Sequence, residues 1–295
     1  ENAFDSYDMA NFYAFFKDLY SKNKHLTEEK IAVFRNNTAR LQDELNVTKE
    51  QELDDLLNMP ISEDELTGAI KRLKGGKSTS EDRILNEMIQ HSTAETTKLL
   101  LKLFNCCLEH GTYPWNTSLM TALHKKGDRY DPNNFRSICV GSNLGKVFSD
   151  ISLQRLIAFR NIHCKDPPNQ LGFVRNAQTS DHILTLSSVV DKYCKKFKKK
   201  LYTCFVDYRK AFDTVCREAL LYKLSELGVK GKYFACLKHM YENSSTRIKL
   251  IKKLSEKIDI LVGTEQGHVM SPELFKIFIL GLTELLNEHL ENCPE

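Results

Sequence analysis

The chain has 295 residues, enough for a large buried core and for one or two domains. Its formal net charge of +3 identifies no class of partner, because 42 basic residues are offset by 39 acidic ones. Nine cysteines with no CxxC pair argue against a disulfide framework, and neither a secretory signal nor an apolar run of about 18 residues is found, which predicts an intracellular protein, cytoplasmic or nuclear, without a membrane partner.

The first sixty residues predict a helical N-terminal extension. Apolar and aromatic residues between positions 12 and 20 recur on one helical face, and residues 26–45 predict a second, more polar helix. A stripe of this kind is more often core or docking surface than a binding site, so we assign no chemistry to it. Ser62 and Glu65 then form a capping box that begins the next helix.

A basic β-hairpin is predicted further along the chain. Residues 118–124 and 135–140 have the composition of strands, and a polar turn separates them. Each arm carries a cation, Lys125 and Arg136. Two cations that face a cleft can hold a triphosphate, and arginine adds bidentate contacts. A basic hairpin without a ligand is the alternative.

The central stretch begins with six lysines in residues 192–200, at the end of a helix predicted over residues 181–199. These lysines form either a local field that attracts phosphate or a solvated helix end. Residues 201–208 are apolar and β-favouring, which predicts a strand buried on both faces. Asp207 stands at its end. A carboxylate there suits a metal ion that also takes phosphate oxygens, although an aspartate that caps a turn is the alternative.

Two short strands, over residues 246–251 and 258–262, are predicted before a glycine-containing loop at residues 263–267. An apolar helix follows from residue 273. Glycines before a helix N-terminus let the backbone approach a ligand closely, and the helix end favours an anion.

The order of these segments resembles the reverse transcriptases of non-LTR (LINE-type) retrotransposons. The resemblance runs from about residue 60 to residue 290. It is carried by PISEDELTGAIKRLKGGK (60–77), HKKGD with FRSI (124–138), QLGF (170–173), FVDYRKAFDTV (205–215) and GTEQGHVMSPELF (263–275). Each motif alone is a weak signal, whereas the series in this order is a strong one.

The resemblance implies a helix-rich α+β fold of the right-hand polymerase type, with fingers and an incomplete palm sheet over residues 61–295. It implies an RNA-directed DNA polymerase that adds dNTPs to a primer 3′-hydroxyl on an RNA template. The implied site residues are catalytic Asp207, which binds two Mg²⁺ with help from the main chain of Tyr208, and the dNTP-binding residues Lys125, Arg136, Phe212, Gln266 and Gly267.

Departures from the family pattern predict that this chain alone is inactive. The family completes its metal site with a second, Asp-Asp-type box after the helix that follows Pro272, and none is found there. Glu265 stands where the family has a cation, and His268 replaces a small residue. A non-catalytic nucleic-acid-binding remnant is therefore the alternative, and a helical scaffold would require the motif order to be coincidence. The oligomeric state stays open.

Overall fold

The computed structural model describes residues 9–47, 55–164, 170–174, 176–250, 253–265 and 267–291. Its helices are α1 (Met9–Ser21), α2 (Glu28–Val47), α3 (Asp55–Asn58), α4 (Glu63–Arg72), α5 (Asn86–Gln90), α6 (Ala94–Glu109), α7 (Asn143–His163), α8 (Thr179–Val190), α9 (Arg217–Glu226), α10 (Gly231–Glu242), α11 (Ser271–Phe278) and α12 (Leu280–Glu291). Its strands are β1 (Thr117–His124), β2 (Phe135–Val140), β3 (Ser245–Leu250), β4 (Lys253–Leu254) and β5 (Ile258–Asp259). The predicted helix-rich α+β class is confirmed.

The strands form one mixed sheet around β1 and β3. β1 pairs antiparallel with β2 and parallel with β3, and β3 pairs antiparallel with β4 and β5. The predicted basic hairpin is therefore present as β1 and β2. Beyond its last ladder pair, the Lys125 amide donates to the Asn134 carbonyl at 2.9 Å. This bond holds Lys125 beside the start of β2, which carries Arg136.

β2 separates a buried face from a face that lines the cavities described below. Phe135, Ser137 and Cys139 are buried, whereas Arg136 and Ile138 point the other way. This alternation follows from the two-residue period of a strand. α1 covers the buried face, and the predicted aromatic stripe is core here. The residues of this core are Phe12, Phe16, Tyr20, Met120, Phe135, Cys139, Ile248, Ile258 and Ile260.

A larger core lies among the helices and is organised around α7. Ser142 begins that helix by accepting hydrogen bonds from the amides of Leu144 and Gly145. Residues at i, i+3 and i+4 spacing then bury most sides of α7 against α4, α6, α9, α10 and α11. None of the helices in the described part of the chain is long and apolar enough to cross a membrane. The described cysteines are free thiols.

The capping box of α4 is confirmed and is also tied to α7. Ser62 accepts from the Glu65 amide, and the Glu65 carboxylate accepts from the Ser62 amide. The same carboxylate accepts from Arg155 of α7 at 2.6 and 2.8 Å. Arg155 also donates to the carbonyls of Leu57, Met59 and Pro60. Its buried charge is therefore fully hydrogen-bonded.

The prediction of a buried strand over residues 201–208 is wrong. These residues have no regular secondary structure and pair with no strand in the described ranges. Tyr202 is 85% exposed and Phe205 is 83% exposed. A strand buried on both faces needs neighbours along its edges and layers over its faces, and the described elements supply neither. An apolar composition predicts that a segment seeks burial, but it cannot supply the partner.

The helix before this segment also differs from the prediction. α8 ends at Val190 and continues as one π-helical segment, Asp191–Lys196, rather than as an α-helix to residue 199. None of the residues of α8 is buried, and Ile183 and Leu184 are among its exposed apolar side chains. The sequence period predicted the helix correctly but not the environment of its apolar face.

Candidate functional site

A cavity of about 1320 Å³ lies where four parts of the chain meet. Two walls come from the β1–β2 hairpin and from the end of the exposed segment (residues 201–208) with the residues after it. The other two come from the start of α11 with the loop before it, and from the end of α1 with the residues that follow. Its lining includes Leu19, Lys24, His25, Lys125, Arg136, Ile138, Asp207, Tyr208, Arg209, Lys210, Phe212, Gly267, His268 and Ser271.

Lys125 and Arg136 supply the cations of the hairpin wall. Both side chains are exposed and line the same cavity. The antiparallel register explains this, because Lys125 follows the end of β1 and Arg136 is the second residue of β2. The pair can attract a multiply charged anion, and the guanidinium can hold two phosphate oxygens at once.

Asp207 and Tyr208 line the same cavity as these cations, although the segment that carries them is not a strand. Asp207 is exposed, and Arg209 and Lys210 follow it in the same wall. The described residues contain no group of three or more histidine, cysteine, aspartate or glutamate side chains that could hold a metal ion. Asp207 and Asp131 are the two acids of this lining, and Asp131 already accepts hydrogen bonds from Asn133, so Asp207 offers its carboxylate in a basic setting.

Lys210 is fixed in place by two contacts. Its Nζ lies 4.4 Å from the centroid of the Phe15 ring and 3.4 Å from Asn133 Oδ1. Burial lowers the pKa of the Lys210 ammonium, and the nearby charges of Lys125 and Lys24 lower it further, while Asp213 opposes them. These mutual effects show that the cations of the cavity act on one another. The site therefore concentrates positive charge.

Phe212 supplies an aromatic side chain to the same cavity. Its ring stacks on Phe275 of α11, with centroids 4.8 Å apart, and meets Phe173 edge-on at 6.0 Å. Phe173 belongs to the QLGF motif, so the structure joins three motifs that are far apart in the sequence. The ring of Phe212 is held on two sides, which fixes its position at the cavity.

The loop before α11 is attached to the residues around Phe212. The Gly263 amide donates to the Val215 carbonyl and the Thr264 amide donates to the Phe212 carbonyl, both at 2.8 Å. Gly267, at the other end of this loop, lines the cavity. Gln266 lies outside the described residues, so its predicted role stays a prediction.

Glu265 turns away from the large cavity and lines a smaller one of about 260 Å³. Burial raises the pKa of its carboxyl to about 7, against the opposing effects of Arg217 and a hydrogen bond with Ser118. An acid in place of the family's cation is expected to repel a nucleic-acid backbone. A partly protonated, half-buried carboxyl repels an anion less than a fully ionised, exposed one.

His268 lies between the two cavities as a neutral, hydrogen-bonded side chain. Its Nδ1 accepts from the Met270 amide at 3.4 Å, so Nε2 carries the proton and donates to Ser149 Oγ at 3.2 Å. Ser149 Oγ in turn donates to Tyr113 Oη at 3.3 Å. Burial lowers the pKa of His268 to about 4, which agrees with a neutral ring.

Comparison with known proteins identifies the family. The sequence profile of the reverse transcriptases (RNA-dependent DNA polymerases) matches residues 123–293, which is more than half of the chain.

The chain belongs to the reverse transcriptase family.

Its curated relatives are the polymerases of non-LTR retrotransposons. The RNA-directed DNA polymerase from mobile element jockey of Drosophila melanogaster is 26% identical over 85% of this chain and 29% of its own length. The Pol polyprotein of retrotransposable element R2 of Popillia japonica is 29% identical over 73% of this chain and 29% of its own length. The Pol polyprotein of retrotransposable element R1 of Bradysia coprophila is 28% identical over 76% of this chain and 22% of its own length. The chain thus spans less than a third of the length of these relatives.

The structure of this reverse transcriptase chain brings most of the predicted site residues together. Those that line the one cavity are Lys125, Arg136, Asp207, Tyr208, Phe212 and Gly267. Sequence reasoning missed Lys24 and His25, which reach the same cavity from the segment between α1 and α2. No motif marks these two residues, because only the packing of α1 on the sheet brings them near the hairpin.

Reverse transcriptases generally use divalent metal ions, and the described donors fit one such ion. Mg²⁺ takes oxygen ligands, and with nucleotides it is commonly held by one or two carboxylates, phosphates and waters. The exposed carboxylate of Asp207 lines one cavity with cations that suit phosphate, and this combination meets that requirement. A pair of ions held by protein carboxylates would need more donors than the described residues bring together here.

Proposed function

We propose that this chain forms the nucleotide-binding face of a non-LTR retrotransposon reverse transcriptase. The observation that carries the proposal is a single cavity that joins Lys125 and Arg136 of the hairpin to Asp207 and Phe212 of the central stretch. The substrate would be a dNTP, and the partners would be an RNA template and a DNA primer. The reaction would be attack of the primer 3′-hydroxyl on the α-phosphate, with pyrophosphate as the leaving group.

In this proposal the triphosphate lies against the hairpin cations. Arg136 gives bidentate contacts to phosphate oxygens, while Lys125 and Lys210 neutralise the remaining charge. Phe212 packs against the sugar and disfavours a 2′-hydroxyl. The stacking of Phe212 on Phe275 supports this role, because a fixed ring can exclude an added group more effectively than a mobile one.

Nucleotide binding and catalysis differ in the number of metal ions that they require. When bound, Mg²⁺ would screen the triphosphate and polarise the α-phosphate, with Asp207 and the main-chain oxygen of Tyr208 as protein ligands. Two such ions about 4 Å apart repel each other by roughly 4 kcal/mol in water and roughly 16 kcal/mol at an effective dielectric constant of 20. The carboxylate of Asp207 alone compensates poorly for that repulsion, because that of Asp131, the other acid of the lining, already accepts hydrogen bonds from Asn133. We therefore propose that the chain binds Mg²⁺–dNTP but does not extend a primer unaided.

Two assays on the full chain test this proposal. Mg²⁺–dNTP binding is expected for the native sequence, and Asp207→Asn should reduce the dependence of that binding on Mg²⁺. Primer extension on an RNA template by the native chain is expected to be no greater than that by the Asp207→Ala variant. Extension above that level would refute the proposed inactivity, and absence of Mg²⁺–dNTP binding would refute the nucleotide site.

The second candidate is a nucleic-acid-binding remnant without nucleotide binding. The incomplete set of carboxylates among the described residues favours it. The same binding assay separates the candidates, because a remnant would bind RNA and show no specific affinity for Mg²⁺–dNTP.

A further inference from the structure

A basic surface lies outside the nucleotide cavity, at the end of the helix that precedes the exposed segment. We call residues 192–200 the lysine cluster. All its lysines are exposed, and within the described ranges only Lys195 forms an ion pair, with Asp191 at 2.7 Å. The lysines are Lys192, Lys195, Lys196, Lys198, Lys199 and Lys200.

Helix capping does not account for a cluster of this size. A cation near a helix C-terminus is favoured by the helix dipole, but that effect is confined to the last turn and is screened by salt. Three of the lysines, from Lys198 onwards, follow the end of the π-helical segment. Close like charges repel one another, so the cluster by itself opposes compact structure. A ligand of opposite charge would relieve this repulsion.

Aromatic side chains stand among the lysines. Tyr193 is 40% exposed and Phe197 is 47% exposed, and their rings meet edge-on with centroids 5.9 Å apart. The Lys196 ammonium lies 5.9 Å from the centroid of the Phe197 ring. Exposed rings beside cations are the combination that binds single-stranded nucleic acid, because bases stack on the rings while the cations hold phosphates.

The position of the lysine cluster is compatible with a strand that continues into the nucleotide cavity. Residues 201–208 connect the two sites, and Asp207 to Lys210 already line the cavity. Eight extended residues span at most about 30 Å. A single strand of modest length could therefore contact both sites.

We propose that the lysine cluster binds single-stranded nucleic acid, with its lysines on the phosphate backbone and with Tyr193 and Phe197 stacked on bases. This site is separate from the nucleotide cavity and does not require the chain to polymerise. RNA and single-stranded DNA share the chemistry on which the proposal rests.

Charge-matched variants of the full chain test the phosphate contacts. The first variant combines Lys192→Gln, Lys196→Gln and Lys199→Gln. The control combines Lys30→Gln, Lys98→Gln and Lys102→Gln, which are exposed lysines of α2 and α6 that do not line the cavity. Fluorescence anisotropy with a labelled 20-nucleotide strand, as RNA and as DNA, would be measured from 50 to 300 mM salt.

The cluster variant should bind about tenfold or more weakly at 0.1 M salt, and the slope of log K against log salt should fall by about 2. The control should change affinity much less. Equal losses in the two variants would overturn the proposal. Unchanged Mg²⁺–dNTP binding by the cluster variant is also expected, and this separates the lysine cluster from the nucleotide cavity.

A second pair of measurements tests the stacking and the class of partner. Tyr193→Leu with Phe197→Leu should weaken binding of a base-bearing strand by about fivefold or more and leave binding of an abasic strand of equal length unchanged. Vesicles with 30% phosphatidylserine should not compete with the strand at equal charge concentration. Lysine-dependent vesicle binding with unaffected strand binding would show a membrane site and overturn the proposal.

Discussion

Gly267 lies against Cys139, so closely that a Cβ atom on Gly267 would stand 2.5 Å from the Cys139 carbonyl oxygen. Its φ of +109° is a conformation that side-chain-bearing residues rarely adopt. This contact sets the loop before α11 against β2, and Gly267 lines both cavities. The backbone of β2 thus controls where the loop meets the cavity.

Gly267→Ala should therefore displace the loop. We expect a loss of roughly 1–3 kcal/mol in the free energy of unfolding, because both the φ angle and the close carbonyl oppose a Cβ atom. Nucleotide affinity should fall in the same variant. Chemical denaturation and nucleotide titration measure the two effects. Gly281→Ala, in α12, is the control, since its nearest heavy atom is the end of a lysine side chain at 3.8 Å. Equal behaviour of the two variants would contradict the account.

Glu265 should give the protein a measurable pH dependence of stability. Its pKa of about 7 lies above the usual value near 4.3, so the folded state holds more protons than the unfolded state between about pH 4.5 and 7. This contribution to the free energy of unfolding is present at low pH and is lost as pH rises through 7. As the pH rises from 5 to 8, the free energy of unfolding of the native chain should therefore fall by roughly 2–3 kcal/mol relative to that of Glu265→Gln. Urea denaturation at both values tests this, with exposed Glu256→Gln as the control for loss of a charge.

His268 should act in the opposite direction. Its pKa of about 4 lies below the usual value near 6.5, so stability is complete above about pH 6.5 and falls as pH drops towards 4. His268→Gln should flatten the stability profile across that window, by roughly 2–3 kcal/mol. Below pH 6.5 the effects of Glu265 and His268 on stability have opposite signs. Each single variant should therefore show the pH dependence of unfolding free energy that the other residue causes. Parallel profiles for the native chain and this variant would contradict the buried, neutral assignment.

Arg155 should be a large contributor to stability among the ion pairs. Its guanidinium is buried and bonded to Glu65 and to three carbonyls, so Arg155→Met leaves an uncompensated carboxylate and free acceptors. We expect a loss of about 3–5 kcal/mol in the free energy of unfolding. Arg72→Met breaks a half-exposed pair with Asp150 and should cost less than about 1 kcal/mol. Denaturant unfolding of both variants measures these losses. Similar losses of unfolding free energy in the two variants would contradict the role given to Arg155.

The exposed segment at residues 201–208 should promote self-association. Its apolar side chains and unpaired backbone offer an edge for strand pairing with another copy. Light scattering should show an average mass that rises with concentration. Phe205→Lys, which removes an 83% exposed ring, should reduce that rise and leave the unfolding transition unchanged. A native chain that stays monomeric at all concentrations would count against this prediction.

Local rules predicted those parts of the fold whose partners are close in the sequence. The capping box of Ser62 and Glu65 and the β1–β2 hairpin depend on short-range hydrogen bonds and turn chemistry, and both are present. The burial of Phe12 and Phe16 follows from the helical period, although the period does not say that α1 packs on the sheet.

The parts that sequence reasoning missed depend on contacts across the chain. Residues 201–208 have a strand-like composition, but whether they are buried depends on neighbours that no local pattern specifies. Lys24 and His25 reach the cavity only because α1 lies on β2 and β5. The burial of Glu265 beside Ser118 and Arg217 likewise depends on packing that no local pattern specifies. The division of the chain at residue 60 stays a prediction.

The most direct test of the account is the dissociation constant for Mg²⁺–dNTP, measured by calorimetry for Arg136→Gln beside Arg129→Gln. Both arginines are in the hairpin region and both variants lose one charge, but only Arg136 lines the cavity. Arg136→Gln is expected to weaken triphosphate binding by about tenfold or more, since a charged hydrogen bond contributes about 1.5–3 kcal/mol, and the effect should be smaller for a monophosphate. Equal affinities in the two variants would contradict it.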